Sequence, residues 1–165
     1  MPPQSRMELE IAEAEYKRNL EKEEKLGRKE GMADAYGKLG TLYITLGHLD
    51  KAEDMFKKSL KIEEKLDNKE GMASDYGYLG TIYQMRDDLE QAEAMFKKSL
   101  KINQELGRKQ GMLTVYGKLA EVYYTRRDFT ANWPKFTIPV VIWIKPRPCL
   151  KSNWKWKKSW TTKRP

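Results

Sequence analysis

The chain has 165 residues, 34% charged and 39% hydrophobic, and its 32 Lys+Arg against 24 Asp+Glu give a formal net charge of +8, which suits one domain with a modest core. A single cysteine, Cys149, excludes a disulfide framework or a thiolate metal cluster, and a single histidine, His48, excludes most histidine triads and zinc sites. No apolar run approaches the ~18–20 residues that cross a bilayer, and residues 1–6 lead into an acidic amphipathic stretch rather than a signal peptide, so a soluble cytoplasmic protein is expected.

Taken along the chain, residues 1–6 read as a disordered N-terminus. A single helix follows over about Met7–Leu26 and carries Ala12-Glu13-Ala14-Glu15-Tyr16-Lys17-Arg18-Asn19-Leu20. Ala33-Asp34-Ala35-Tyr36-Gly37-Lys38-Leu39-Gly40-Thr41-Leu42-Tyr43 then opens a pattern that recurs from Ala73 and again from Leu113. Between these copies Ala52-Glu53-Asp54-Met55-Phe56-Lys57-Lys58-Ser59-Leu60 is matched by Ala92-Glu93-Ala94-Met95-Phe96-Lys97-Lys98-Ser99-Leu100, so the period is 40 residues.

Each period holds two helical patterns. Met32, Tyr36, Leu39, Gly40 and Tyr43 fall on one face of the first, and Leu49, Ala52, Phe56, Leu60 and Glu63 on one face of the second, with Lys57, Lys58 and Lys61 outward. Leu46-Gly47-His48-Leu49 and Arg86-Asp87-Asp88-Leu89 suit a helix stop and restart. Gly27, Asn68 and Gly107 are expected to end the second helices in a left-handed conformation. Small residues at Gly40, Ala52, Gly80 and Ala92 let the paired helices approach closely. The units are a half repeat at 7–30, full repeats at 31–70 and 71–110, and a half repeat at 111–128. Neither terminal unit reads as a polar cap, so residues 7–128 are expected to be a short, marginally stable segment of a longer array.

These residues resemble tetratricopeptide repeats. The spacing of aromatic, Leu-Gly, aromatic, Ala and Phe is met by Tyr36, Leu39-Gly40, Tyr43, Ala52 and Phe56, and by Tyr76, Leu79-Gly80, Tyr83, Ala92 and Phe96. The unit is longer than the usual ~34 residues and lacks a proline near its end, which is similar to the extended repeats of G-protein-signalling modulators and kinesin light chains. The resemblance implies an all-α, right-handed superhelical solenoid of antiparallel helix pairs, and a concave groove lined by the first helix of each pair. Carried over position by position, that groove comprises Asp34, Gly37, Lys38, Thr41 and Ile44; Ser74, Gly77, Tyr78, Thr81 and Gln84; and Thr114, Gly117, Lys118, Glu121 and Tyr124. Extended relatives often place Asn before Leu-Gly to hold a ligand's backbone; here Lys38, Tyr78 and Lys118 replace it. Two lysines flanking a tyrosine favour an acidic segment or a C-terminal carboxylate.

Beyond Asp128 the composition changes. Residues 1–128 carry 23 Lys+Arg and 24 Asp+Glu, whereas residues 129–165 carry nine Lys+Arg, no acid and all five tryptophans. This irregular, disordered basic tail could be read as a nucleic-acid arm, an interfacial membrane segment or a Pro-rich ligand. A repeat translated in a shifted frame accounts for it better. Taking the third base of each codon with the first two of the next forces Leu and Ala at Asn132/Trp133 and Trp133/Pro134, matching Leu119-Ala120. It forces Asp at Trp143/Ile144, matching Asp50, and Leu, Glu and Asp at Asn153/Trp154, Trp156/Lys157 and Trp160/Thr161, matching Leu60, Glu63 and Asp67. Trp154/Lys155 disagrees, forcing Glu where Lys61 stands, and Ser152/Asn153 cannot give Ser. Val140–Ile144 is an aggregation risk in either case.

No catalytic constellation, metal site or cofactor is expected. His48 occupies a turn, Cys149 lacks a histidine partner, and Gly37-x-x-Gly40 sits inside a helix, so it is no phosphate loop. Clusters such as Glu21-Lys22-Glu23-Glu24 and Glu63-Glu64-Lys65 read as solvated i,i+4 pairing, and Tyr36, Tyr43, Tyr76 and Tyr83 as helix packing. The expected function is therefore a non-catalytic protein-interaction module binding a partner's peptide segment, with end-to-end self-association through the half repeats. Its alternatives are a basic tail that binds nucleic acid or anionic membrane, and a degenerate fragment of a longer repeat protein without activity.

Overall fold

The structure, a computed structural model, describes residues 6–126. The expectations for the tail 129–165, including its shifted frame, lie outside the described residues, as do those for the N-terminus except Arg6, which opens the first helix.

Six helices follow one another: α1 (Arg6–Lys25), α2 (Lys29–Thr45), α3 (Leu49–Lys65), α4 (Lys69–Met85), α5 (Leu89–Glu105) and α6 (Lys109–Arg126). Among the described residues there is no strand. Only three residues separate each helix from the next, so consecutive helices fold back antiparallel. The reason lies in the helix ends. Gly27, Gly47 and Gly107 take φ of +65°, +73° and +65°, and Asp67 and Asp87 take the same left-handed conformation at +51° and +61°. At each such end the following amide reaches back five residues, as Arg28 N–H does to the Glu23 carbonyl (3.0 Å) and His48 N–H to that of Tyr43 (2.8 Å). The left-handed residue of the middle unit is thus Asp67, not Asn68. Asn68 instead caps α4, its side chain accepting from Gly71 N–H (3.3 Å), and Asp88 caps α5 by accepting from Gln91 N–H (3.1 Å). His48 stands at the corresponding position before α3 and makes no side-chain cap.

Within a pair, the small residues act as expected. The Phe56 ring lies on Gly40 and the Phe96 ring on Gly80, so close that a Cβ at either glycine would meet ring carbons at 2.6 Å and 2.7 Å. Ala52 and Ala92 are fully buried beside them. Ser59 and Ser99 donate from α3 and α5 to the Ala33 and Ala73 carbonyls (3.2 and 2.7 Å), tying the pairs together at depth.

Between successive units the interface is fastened at two levels. At one end Tyr43, Tyr83 and Tyr123 donate to Glu13, Glu53 and Glu93 (2.9, 2.7 and 2.8 Å), thirty residues back in each case. Lys17, Lys57 and Lys97 hold the same carboxylates through i,i+4 bridges, and Arg86 and Arg126 add to the second and third. At the other end Glu23, Glu63 and Asn103 lie against Gly31, Gly71 and Gly111. Glu23 and Glu63 are buried, which corrects the reading of their clusters as solvated faces. The sequence signal was there: each residue stands eight before a glycine that opens the next helix.

Candidate functional site: the inner helix row

α2 touches α4 and α4 touches α6, whereas among the described residues α1, α3 and α5 do not touch one another. The row α2, α4, α6 is therefore the shorter, inner side of a curved stack, the side on which the sequence resemblance expects a groove.

Two depressions divide this face. The first, about 480 Å³, lies among α1, α2, α3 and α4 and includes Asp34, Gly37, Lys38, Thr41, Ser74 and Tyr78 of the expected groove residues. The second, about 420 Å³, lies among α4, α5 and α6 and includes Ser74, Gly77, Tyr78, Thr81, Thr114 and Lys118. Ser74 and Tyr78 border both. Tyr78 is held as a partition by stacking on the buried Phe56, with ring centroids 4.6 Å apart and planes 11° from parallel. Ile44 packs toward the core beside α3 instead. Gln84 donates to Glu121 (3.2 Å), which also pairs with Lys118 (3.1 Å), closing the rim across α4 and α6. Gly117 and Tyr124 are exposed on α6 and line neither depression.

The two depressions differ in sign. Glu8, Asp34, Glu63 and Asp75 line the first against one cation, Lys38, which itself pairs with Asp34 (2.7 Å). Arg108 and Lys118 line the second, whose wall holds no carboxylate. Arg108 lies 3.9 Å from Glu70, a pair open to solvent. The two groove lysines therefore sit in opposite electrostatic settings, and only Lys118 faces a basic one.

Glu63 and Asp75 are not among the groove residues expected from the sequence, yet they line the first depression. Asp75 occupies the position of Ala35 and Val115 in the neighbouring units and is only 5% exposed. Its Oδ2 and the Oε2 of Glu63 have no hydrogen-bond partner among the described residues. Burial pushes the Asp75 carboxyl up to about 7; the Ser59 hydroxyl opposes this and the Glu63 charge adds to it. Glu63 is raised mainly by burial, against a hydrogen bond with Asn68. A carboxylate at a helix position otherwise Ala or Val is the signal that comparison of the three copies could have given.

Two segments match family profiles described as tetratricopeptide repeat, at residues 33–66 and 72–131. Among solved structures, BtubC (BKLC) from P. vanneervenii is 25% identical with a TM-score of 0.67, over 73% of this chain and 51% of that one. The nearly identical TPR-like repeats described as a kinesin light chain from Podosopora anserina are 16% identical with a TM-score of 0.63, over 73% of this chain and 60% of that one. The chain thus spans about half to three-fifths of these proteins' length. No curated protein matches the sequence.

Proposed function

The chain belongs to the tetratricopeptide-repeat family, and from that premise we propose that its inner helix row binds an extended segment of a partner protein. Such repeats are generally protein–protein interaction modules. The observation that carries the finer reading is the pair of adjoining depressions that share Ser74 and Tyr78. Two cups separated by one aromatic partition suit successive side chains of an extended chain, with Tyr78 supplying a flat apolar contact at the centre. An acidic side chain or C-terminal carboxylate enters the second depression, toward Lys118 and Arg108. The Lys118–Glu121 bridge is solvent-exposed, and such pairs are worth only about 0–1 kcal/mol, so exchanging Glu121 for a ligand carboxylate costs little.

The module acts as a non-catalytic scaffold in the cytoplasm. Exposed Met7 and Ile11 on α1 and Leu113 on α6 support end-to-end association as a secondary property, and sedimentation velocity over a range of concentrations tests it. The groove is tested by screening the full chain against a library of random dodecapeptides. Tyr78→Ala and Lys118→Glu should each weaken the selected peptides at least tenfold, with acidic sequences favoured. Selected peptides that bind both variants as well as the parent would refute the groove.

A further inference from the structure

Glu63 and Asp75 come from facing helices α3 and α4 and meet the same depression. Each is more than nine-tenths buried, and each holds one fully buried oxygen with no partner among the described residues, which a turn of the side chain would bring to an incoming donor. Buried polar groups are almost always hydrogen-bonded, and an unmade bond to a buried carboxyl costs about 1–3 kcal/mol or more. Ser59 neighbours Asp75 and Asn68 neighbours Glu63, each favouring the charged form of the carboxyl beside it, while one oxygen on each carboxyl stays without a partner among the described residues. Nearby Lys38 does not fill either vacancy, because its ammonium is held by Asp34 at 2.7 Å. Apolar packing does not require a carboxyl here, since Ala35 and Val115 fill the equivalent place in the other units.

We propose that this depression receives a basic side chain, arginine or lysine, of the partner polypeptide, whose N–H groups bond to Asp75 and Glu63. The inference rests on the groove reading above and adds the chemistry of its first subsite. A guanidinium fits best: its fork supplies several donors to two carboxyls on different helices, and the Tyr78 ring borders the same space and can take a guanidinium face. The partner segment then carries a base for the first depression and an acid for the second, on either side of the residue that contacts Tyr78. This polarity fixes the direction in which the segment lies along the row.

The test uses the full chain, labelled with ¹³C and ¹⁵N, and N-acetyl-arginine methylamide as probe, with the citrulline analogue as a neutral near-isostere. The expected result is saturable movement of the Asp75 and Glu63 carboxyl ¹³C resonances with the arginine probe. The citrulline analogue should bind at least tenfold more weakly. At pH 8, where the Asp75 carboxyl is ionised, Asp75→Ala should also weaken the arginine probe at least tenfold, as follows when one partner of a buried charge pair is removed. Glu90→Gln, which removes an exposed acid from α5, should leave the affinity unchanged. Circular dichroism of Asp75→Ala confirms its fold. Equal binding of the two probes, or full arginine binding by folded Asp75→Ala, would overturn the inference. Selected dodecapeptides that depend on Tyr78 and Lys118 but are indifferent to Asp75→Ala would overturn this subsite alone and leave the groove standing.

Discussion

Replacing Asp75 with alanine should make the protein more stable at neutral pH, and the gain should disappear in acid. The side chain is 5% exposed, and its carboxyl holds a proton up to about pH 7, against 3.8 ordinarily. Between those values the folded chain binds a proton that the unfolded chain has released, so unfolding free energy falls as pH rises. The stabilising contribution is complete below 3.8 and lost as pH passes through about 7. A displacement of about 3 units at 1.36 kcal/mol each is about 4 kcal/mol. Alanine already occupies this position in the preceding unit, so Asp75→Ala should remain packed and gain up to about that amount at pH 8. Urea unfolding at pH 4, 5, 6, 7 and 8 measures it. Far-UV circular dichroism is the suitable signal, because it reports directly on the six helices, whereas all five tryptophans lie in residues 129–165. Parallel stability curves for parent and variant, or a less stable variant at pH 8, would refute the burial argument.

Glu53 shows the opposite dependence. Burial is the largest single influence on it and acts upward, but hydrogen bonds from Lys57, Tyr83 and Arg86 together outweigh it and bring the carboxyl down to about 2. Its contribution is therefore present above 4.5 and lost as pH falls toward 2, so Glu53→Gln should lose roughly 2 kcal/mol at pH 7 and show a shallower acid limb in the same urea series. Gly80→Ala drives a methyl into the Phe96 ring and should cost about 1–3 kcal/mol, read as a lower thermal midpoint. Asp87→Gly, which relieves a left-handed aspartate, should stabilise by up to about 1 kcal/mol; a lower urea midpoint would contradict the assignment of that helix end.

Periodicity made the architecture legible before any coordinates. Tyr36, Leu39-Gly40, Tyr43, Ala52 and Phe56 recur with their spacing intact, and a repeated pattern of apolar and small residues has few ways to pack. Exceptions to the pattern are not legible in this way. Glu23 and Glu63 read as members of charged clusters because helical spacing says which face a residue lies on, not what the neighbouring unit presents to it; the glycines that admit them belong to the next helix. Asp75 is a single polar substitution in an apolar column, and averaging over copies hides it. By residue type Asn68 is the expected helix-ending residue, yet the turn geometry selects Asp67 one place earlier, leaving Asn68 to cap. Lys38 and Lys118 occupy the same register position, but charges from α1 and α3 surround the first, and those arrive only through tertiary packing.

The tyrosine–glutamate bond that crosses each boundary between units uses the same two residue types at the same thirty-residue separation all three times. An interface written in one recurring code is interchangeable. A unit removed, duplicated or spliced from elsewhere in a gene of this kind meets a neighbour it already fits, provided the exchange spans whole periods of 40. Recombination between near-identical stretches of coding sequence can therefore vary the length of the helix stack, while no boundary has to be invented afresh.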